Sequence, residues 1–323
     1  MGRFVFPFDF DFGWEKMTLN ETYWKKILPK SGRRCAICTF MEVIGSSWRG
    51  EMCYHSEKIE ETIMLPAKRR ARIIEFLRRE EMASLKELAE RLDMSVSTIR
   101  RDVEYLCTTG HLTRTHGGAM MNVSDRKGFE PEAAISSELE SDAKLRIGKR
   151  AAALIQPGQT VLMDSGTTTV AAAEALVARD VPFTAVTNDL SIASIFSQSR
   201  TINTFVAGGN VRPGSSTLLG ASAVRMIEQL RADIAIIGAH AVSTEGLSDS
   251  SIELCEVKRA IISAAEFVVL LVDSSKFFSR SFSLFGALED IGLIITDDRI
   301  DPEILKELKQ RNIPVEMVSE EVA

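Results

Sequence analysis

The chain has 323 residues, 45% of them hydrophobic and 26% charged, with a net charge of −6. That is an ordinary globular composition, long enough for two domains with a sizeable core. Five cysteines, an odd number unevenly spread, argue against a disulfide framework and for a reducing cytosol. No apolar run is long enough to span a bilayer, and no basic segment leads into an apolar signal-peptide core, so a cytoplasmic protein is expected. The net charge hides a split. From Pro66 to Met120, 11 Lys and Arg stand against 8 Asp and Glu; from Met121 to Ala323, 19 stand against 28. A basic small part joined to an acidic large part predicts DNA contact by the first and a different task for the second.

Residues 1–63 resist a clear reading. Phe4, Phe6, Phe8, Phe10 and Phe12 alternate in a strand-like way, without an evident partner. Cys35 and Cys38 form a C-x-x-C, followed by Cys53 and His55, a set that would suit zinc. Their flanks lack the compact spacing of a zinc ribbon, so incidental thiols in a poorly ordered extension are expected. The regular domain is expected to begin at Met64.

From Pro66 the pattern becomes helical. Ala67–Arg79 carries Ile73, Ile74, Phe76 and Leu77 on one side and Lys68, Arg69, Arg70, Arg72 and Arg78 on the other. Met82–Leu85 reads as an extended link and Lys86–Leu92 as a second helix. After the turn Asp93-Met94-Ser95, Ser95 caps a third helix whose buried face is Val96, Ile99, Val103 and Leu106. Gly110 stops it. His111–His116 and Ala119–Val123 read as two strands joined at Gly117-Gly118. Three helices followed by a hairpin make a winged helix-turn-helix over residues 64–121. Its third helix would present Ser95, Ser97, Thr98, Arg100 and Arg101 to base edges or phosphates of double-stranded DNA, with Arg114 and His116 on the wing. A merely solvated charged face is the plain alternative.

Residues 122–141 are polar, with Gly128 and Pro131, and read as a linker. Over residues 142–323 strands and helices alternate, which predicts a Rossmann-like α/β domain with a mostly parallel sheet covered on both faces. Strands are expected at Thr160–Asp164, Phe183–Thr187, Ile202–Ala207, Asp233–Gly238, Phe267–Val272, Gly292–Thr296 and Pro314–Val318. In the first strand-to-helix turn, Asp164, Ser165, Gly166, Thr167, Thr168 and Thr169 combine a glycine, four hydroxyls and a helix N-terminus. That is a seat for a phosphate, or simply a capped turn. Asn188, Gly208, Gly209 and Asp273 fall at other strand ends, where such sheets bind ligands. Lys276 in the loop after Asp273, and Lys258 on a helix, would neutralise an anion or touch a hydroxyl.

Ser97-Thr98-Ile99-Arg100-Arg101-Asp102 with Leu112–Ala119 resembles the N-terminal signature of the DeoR family of bacterial transcription regulators. Asp164–Thr169, Thr187-Asn188, Gly208-Gly209 and Asp273–Phe277 resemble that family's sensor domain. The resemblance covers about residues 64–318. It implies a repressor of sugar catabolism genes whose sensor, similar to phosphosugar isomerases, answers to a phosphorylated sugar. The family often carries a glutamate four residues before the lysine matched by Lys258; here Leu254 stands there, between Glu253 and Glu256.

The expectation is therefore a DNA-binding regulator with an operator and a phosphorylated sugar as partners, acting as a homodimer or homotetramer without cofactor, catalytic residue or membrane contact. Two alternatives stay open. One is a sugar-phosphate isomerase with an appended DNA-binding module, for which Asp164, Asp249 and Asp273 would be candidate bases and no second acid–base group is evident. The other is a metal- or redox-responsive regulator using Cys35, Cys38 and Cys53.

Overall fold

The computed structural model describes residues 64–122 and 133–319. The alternating phenylalanines and the C-x-x-C with Cys53 and His55 lie outside them.

The first domain begins with α1 (Pro66–Glu80), whose Pro66 occupies the first turn, where its missing N–H costs nothing. A three-residue strand β1 (Met82–Ser84) leads into α2 (Leu85–Arg91), capped by the Ser84 hydroxyl. α3 (Val96–Thr108) follows, then β2 (Leu112–Thr115) and β3 (Gly118–Met121). Ile73, Ile74 and Leu77 of α1 pack with Leu88 of α2 and Ile99, Val103 and Leu106 of α3 into one core. The extended link at Met82 is a third strand of the wing: β1 pairs antiparallel with β3.

Three details differ from expectation. The hairpin turn is His116-Gly117, with Gly117 at φ +89°, and Gly118 already belongs to β3. Gly118 is needed for another reason, since a Cβ there would lie 2.1 Å from the Ala83 carbonyl oxygen across the β1–β3 pair. Val96 is not buried; it is 41% exposed in the first turn of α3. The place on that buried face is taken by Asp102, which Arg69 and Arg70 of α1 both engage.

The segment read as a linker contains helix α4 (Ala133–Glu138). Its Ile135, together with Leu139, joins the core of the first domain. Two apolar residues four apart bury on one helical face, a signal too short to stand out in a polar stretch.

The second domain is built on α5 (Ser141–Leu154), β4 (Thr160–Met163), α6 (Thr167–Arg179), β5 (Phe183–Thr187), α7 (Leu190–Phe196) and β6 (Ile202–Val206). It continues through β7 (Asn210–Val211), β8 (Leu218–Leu219), α8 (Ala221–Glu228) and β9 (Ala232–Gly238). Then come β10 (Ala241–Ser243), β11 (Gly246–Asp249), α9 (Ile252–Ala264) and β12 (Ala265–Leu271). β13 (Ser283–Gly286), β14 (Leu293–Asp297), α10 (Pro302–Gln310) and β15 (Val315–Val318) complete it.

Seven strands form one parallel sheet in the order β15-β14-β12-β9-β4-β5-β6. Apolar runs such as Val161–Met163 and Val268–Leu271 are buried because helices cover both faces. Side chains of α5, α6 and α7 fill one face; those of α8, α9 and α10 fill the other. The small pairings β7–β8 and β10–β11–β13 were not expected, being two to four residues long.

The chain runs from β4 outward to β5 and β6, then returns to place β9 on the other side of β4. The crevice of such a sheet opens at this switch point, beyond the strand ends. α5 and α6 meet closely there. A Cβ on Gly148 of α5 would lie 2.6 Å from the backbone of Ala171 in α6, so only glycine admits this contact.

Candidate functional sites

The first candidate site is the exposed side of α3 and the wing. The Ser95 hydroxyl accepts from the Thr98 N–H at 3.2 Å and lies 2.8 Å from both the Ser97 and Thr98 hydroxyls. Ser95 therefore caps the helix first and can offer a partner only its remaining capacity. Ser97, Arg100 and Arg101 are exposed, and Thr98 is half-buried. Arg114 on β2 and His116 at the turn are exposed as well. Arg69 and Arg70, expected on the solvent face of α1, instead brace α3 through Asp102, and Arg70 stacks over the Tyr105 ring at 3.5 Å. Arg100, Arg101, Arg114 and His116 are left facing outward, the placement that contact with a polyanion requires.

The second candidate site is a cavity of about 650 Å³ beyond the ends of β4, β9 and β12. Ser165, Gly166, Thr167, Thr168 and Thr169 line it at the start of α6. Gly166 is the N-cap at φ +145° and supplies no side chain, so the first-turn amides of α6 face the cavity uncapped. The Thr169 hydroxyl is spent on the Gly166 carbonyl at 2.8 Å.

Asp164 lies beneath the wall, fully buried, accepting from the Gly238 N–H at 3.3 Å and from Lys258. Lys258 lines the cavity and spends its three donors on Asp164, Asp249 at 3.3 Å and the Gly238 carbonyl at 2.8 Å. Burial alone would push its ammonium down, but the two aspartates outweigh burial and hold it charged. Asp249 also lines the cavity; Lys258 and the Ser250 N–H hold its carboxyl low against the opposing effect of burial. This is a closed ionic triad, stable while all three members are present.

Asp273 and Lys276 line the far side, after β12. Asp273 is buried, yet Lys276 and Lys144 keep its carboxyl low. Lys144, on α5, was absent from the expected site. It is 5% exposed, donates to the Ser136 carbonyl and lines the cavity. Burial pushes its ammonium down to about 8; Lys276 and Arg78 push the same way, and Asp273 and Glu140 oppose. Its position follows from the helix contact. Gly148 meets Ala171 and Ala172, and Lys144, one turn earlier on α5, lines the same cavity as the first turn of α6.

Four expected residues do not line the cavity: Asp164, beneath its wall, and Asn188, Gly208 and Gly209. Asn188 is buried, with its amide on the Leu218 carbonyl at 3.3 Å, where it pins β8. Its neighbour Asp189 reaches the wall instead and caps α7. Gly208 and Gly209 are exposed in the connection to β7. Gly209 serves packing, since a Cβ there would lie 2.3 Å from the Leu219 carbonyl oxygen. Arg212 and the loop Ser215–Thr217, which sequence patterning passed over, do line the cavity. They are brought in by the β7–β8 hairpin.

Residues 69–125 match the DeoR-like helix-turn-helix domain, and residues 139–298 match the DeoR C terminal sensor domain. The chain is 33% identical over 250 residues to the uncharacterized HTH-type transcriptional regulator YgbI of Escherichia coli strain K12, a match covering 77% of this chain and 97% of that one. The chain belongs to the DeoR family of DNA-binding transcription regulators. Other DeoR-type relatives include the lactose phosphotransferase system repressor of Lactococcus lactis, 32% identical over 75% of this chain and 95% of that one. The glycerol-3-phosphate regulon repressor of Haemophilus influenzae is 32% identical over 75% and 93%. Among solved structures, ribose 5-phosphate isomerase A from Methanocaldococcus jannaschii aligns with a TM-score of 0.32 and 19% identity, over 43% of this chain and 55% of that one. At the position where the DeoR resemblance anticipates a glutamate, Leu254 is buried against the cavity, while Glu253 and Glu256 are exposed and do not line it.

Among the described residues, no helix is long and apolar enough to cross a membrane, and no group of His, Cys, Asp and Glu is placed to hold a metal ion.

Proposed function

We propose that this DeoR-family regulator represses genes of carbohydrate use and leaves its operator when a phosphorylated sugar fills the sensor cavity. The observation that carries the reading is the uncapped first turn of α6 and the buried ammonium of Lys144 lining one cavity. Oriented amides, a helix dipole and a buried cation together suit a dianionic phosphate. The Lys258–Asp164–Asp249 triad suits the sugar end, where the Asp249 carboxylate, fixed in place by Lys258, accepts from hydroxyls. The names of the Lactococcus and Haemophilus relatives, a phosphotransferase-system repressor and a glycerol-3-phosphate regulon repressor, point the same way. Arg100 and Arg101 read the operator, Arg114 and His116 follow its backbone, and an even-numbered oligomer places two recognition helices on two half-sites.

Thr168→Glu tests the site. A carboxylate in the first turn of α6 repels the phosphate and fills its seat. The variant is expected to bind operator and to keep it when a sugar phosphate is added. Calorimetry and gel shift read the two halves. Undiminished sugar-phosphate binding by Thr168→Glu moves the site elsewhere, and release by the unphosphorylated sugar at equal concentration removes the phosphate from the account.

The competing reading is an isomerase. Asp164 and Asp249 are both committed to Lys258, which leaves neither as a free base of ordinary strength. Incubation with pentose and hexose phosphates is expected to return them unchanged; conversion would favour the enzyme.

A further inference from the structure

Part of the cavity wall comes from the DNA-reading domain. Arg78, in the last turn of α1, lines the cavity, as do Thr109 and His111 just after α3. Arg78 is exposed, and its charge acts on both Lys144 and Asp273, so it stands near the anion-binding end. Behind this wall runs a continuous polar junction. The Glu140 N–H donates to the Glu75 carboxylate of α1 at 2.9 Å, with Glu140 itself held at φ +53°. The Glu140 carboxylate accepts from Arg299 at 2.6 Å, and Arg299 Nε donates to Asp297 at 2.8 Å. Asp297 then accepts from the Ser274 N–H at 2.7 Å and its hydroxyl at 2.9 Å, one residue from Asp273.

We propose that the reading domain is itself part of the effector site: Arg78 contacts the effector's anionic group, and the Glu75–Glu140–Arg299 junction holds that wall against the sensor. The proposal rests on the reading of the cavity as a phosphate site. A ligand shifts an equilibrium only through contacts that differ between two states. A contact made by the reading domain is such a contact, because it exists only while that domain is seated on the cavity. An operator that draws the domain into another orientation removes it. By reciprocity, bound DNA then weakens the effector by the same factor that the effector weakens DNA.

The test uses the full chain, with inorganic phosphate as the probe at fixed ionic strength, and a duplex selected by the parent protein from random sequence. Arg78→Gln alters an exposed side chain and should leave folding intact. It is expected to weaken phosphate binding about 5- to 10-fold in the absence of DNA, within the usual range of allosteric coupling. DNA should weaken phosphate binding by the parent and leave that of Arg78→Gln nearly unchanged. A purely structural role for Arg78 would not produce that difference. Equal phosphate affinity in parent and variant overturns this proposal alone. A lower DNA affinity of the variant in phosphate-free buffer assigns Arg78 to the DNA and also overturns it. Failure of the parent to bind phosphate overturns the cavity reading, and this proposal with it.

Discussion

The two domains place their candidate site residues in opposite environments. In the DNA-reading domain Arg100, Arg101, Arg114 and His116 stand in solvent, and the interior beneath them is apolar apart from Asp102 and His111. In the sensor Asp164, Asp249, Lys258, Asp273 and Lys144 are buried, each compensated by a neighbour of opposite charge. An exposed site separates function from stability. A buried site would fuse them, because a charge that meets the ligand is there also a structural counter-ion.

The sharpest way to break this contrast is to remove one member of the buried triad. Lys258→Met leaves Asp164 and Asp249 as uncompensated buried carboxylates. The expected loss is about 3–5 kcal/mol of stability, read by denaturant unfolding at neutral pH. A variant as stable as the parent would mean that water already reaches the triad, and the two sites would no longer differ in kind.

The counterpart lies in the reading domain. Arg100→Ala and Arg101→Ala should each cost about 1–3 kcal/mol of operator affinity if the arginine reads a base, or flatten the salt dependence if it meets a phosphate. Their unfolding transitions should match the parent's. Loss of stability in either would show that α3 uses its arginines internally, as Arg69 and Arg70 are used.

The mildest test is pH. Lys144 titrates near 8 in the folded chain, against an ordinary 10.5. An anionic effector needs the protonated form, so affinity is full below about pH 8 and falls by up to roughly tenfold per unit above it. The phosphate takes its second charge near pH 6, which leaves an optimum between those values. Stability runs the other way: the folded state resists protonating Lys144, so that penalty is full below pH 8 and fades as pH rises toward 10.5. Calorimetry from pH 6 to 9.5 checks the first statement. A flat affinity across that range would exclude Lys144 from the site.

The same contrast explains what the sequence discloses. Exposed arginines beside an apolar helical period are visible as such, and the inner strands β4, β9, β12 and β14 appear as apolar runs because both faces are buried. Burial of charge is harder to foresee. Asp102 lies on a face that periodicity assigns to Val96, because its two arginine partners are 32 and 33 residues away. Lys144 looks like one more solvated lysine until Gly148 sets α5 against α6. Gly208 and Gly209 carry a ligand-like signature, yet the second is required by the Leu219 backbone. The strand-to-helix turn at Asp164–Thr169 was legible because its signals are local: glycine, hydroxyls and a helix start within six residues.

The burial of Ile135 and Leu139 in the core of the reading domain bears on modular exchange. A hybrid regulator that joins this head to a foreign sensor at Asn122 discards two side chains that close the head's own interior. The seam that preserves the head falls after Leu139, immediately before the residue whose amide is tied to Glu75. Heads and sensors of this design are therefore interchangeable only at that seam, and recombination within the preceding polar stretch yields an unfinished head.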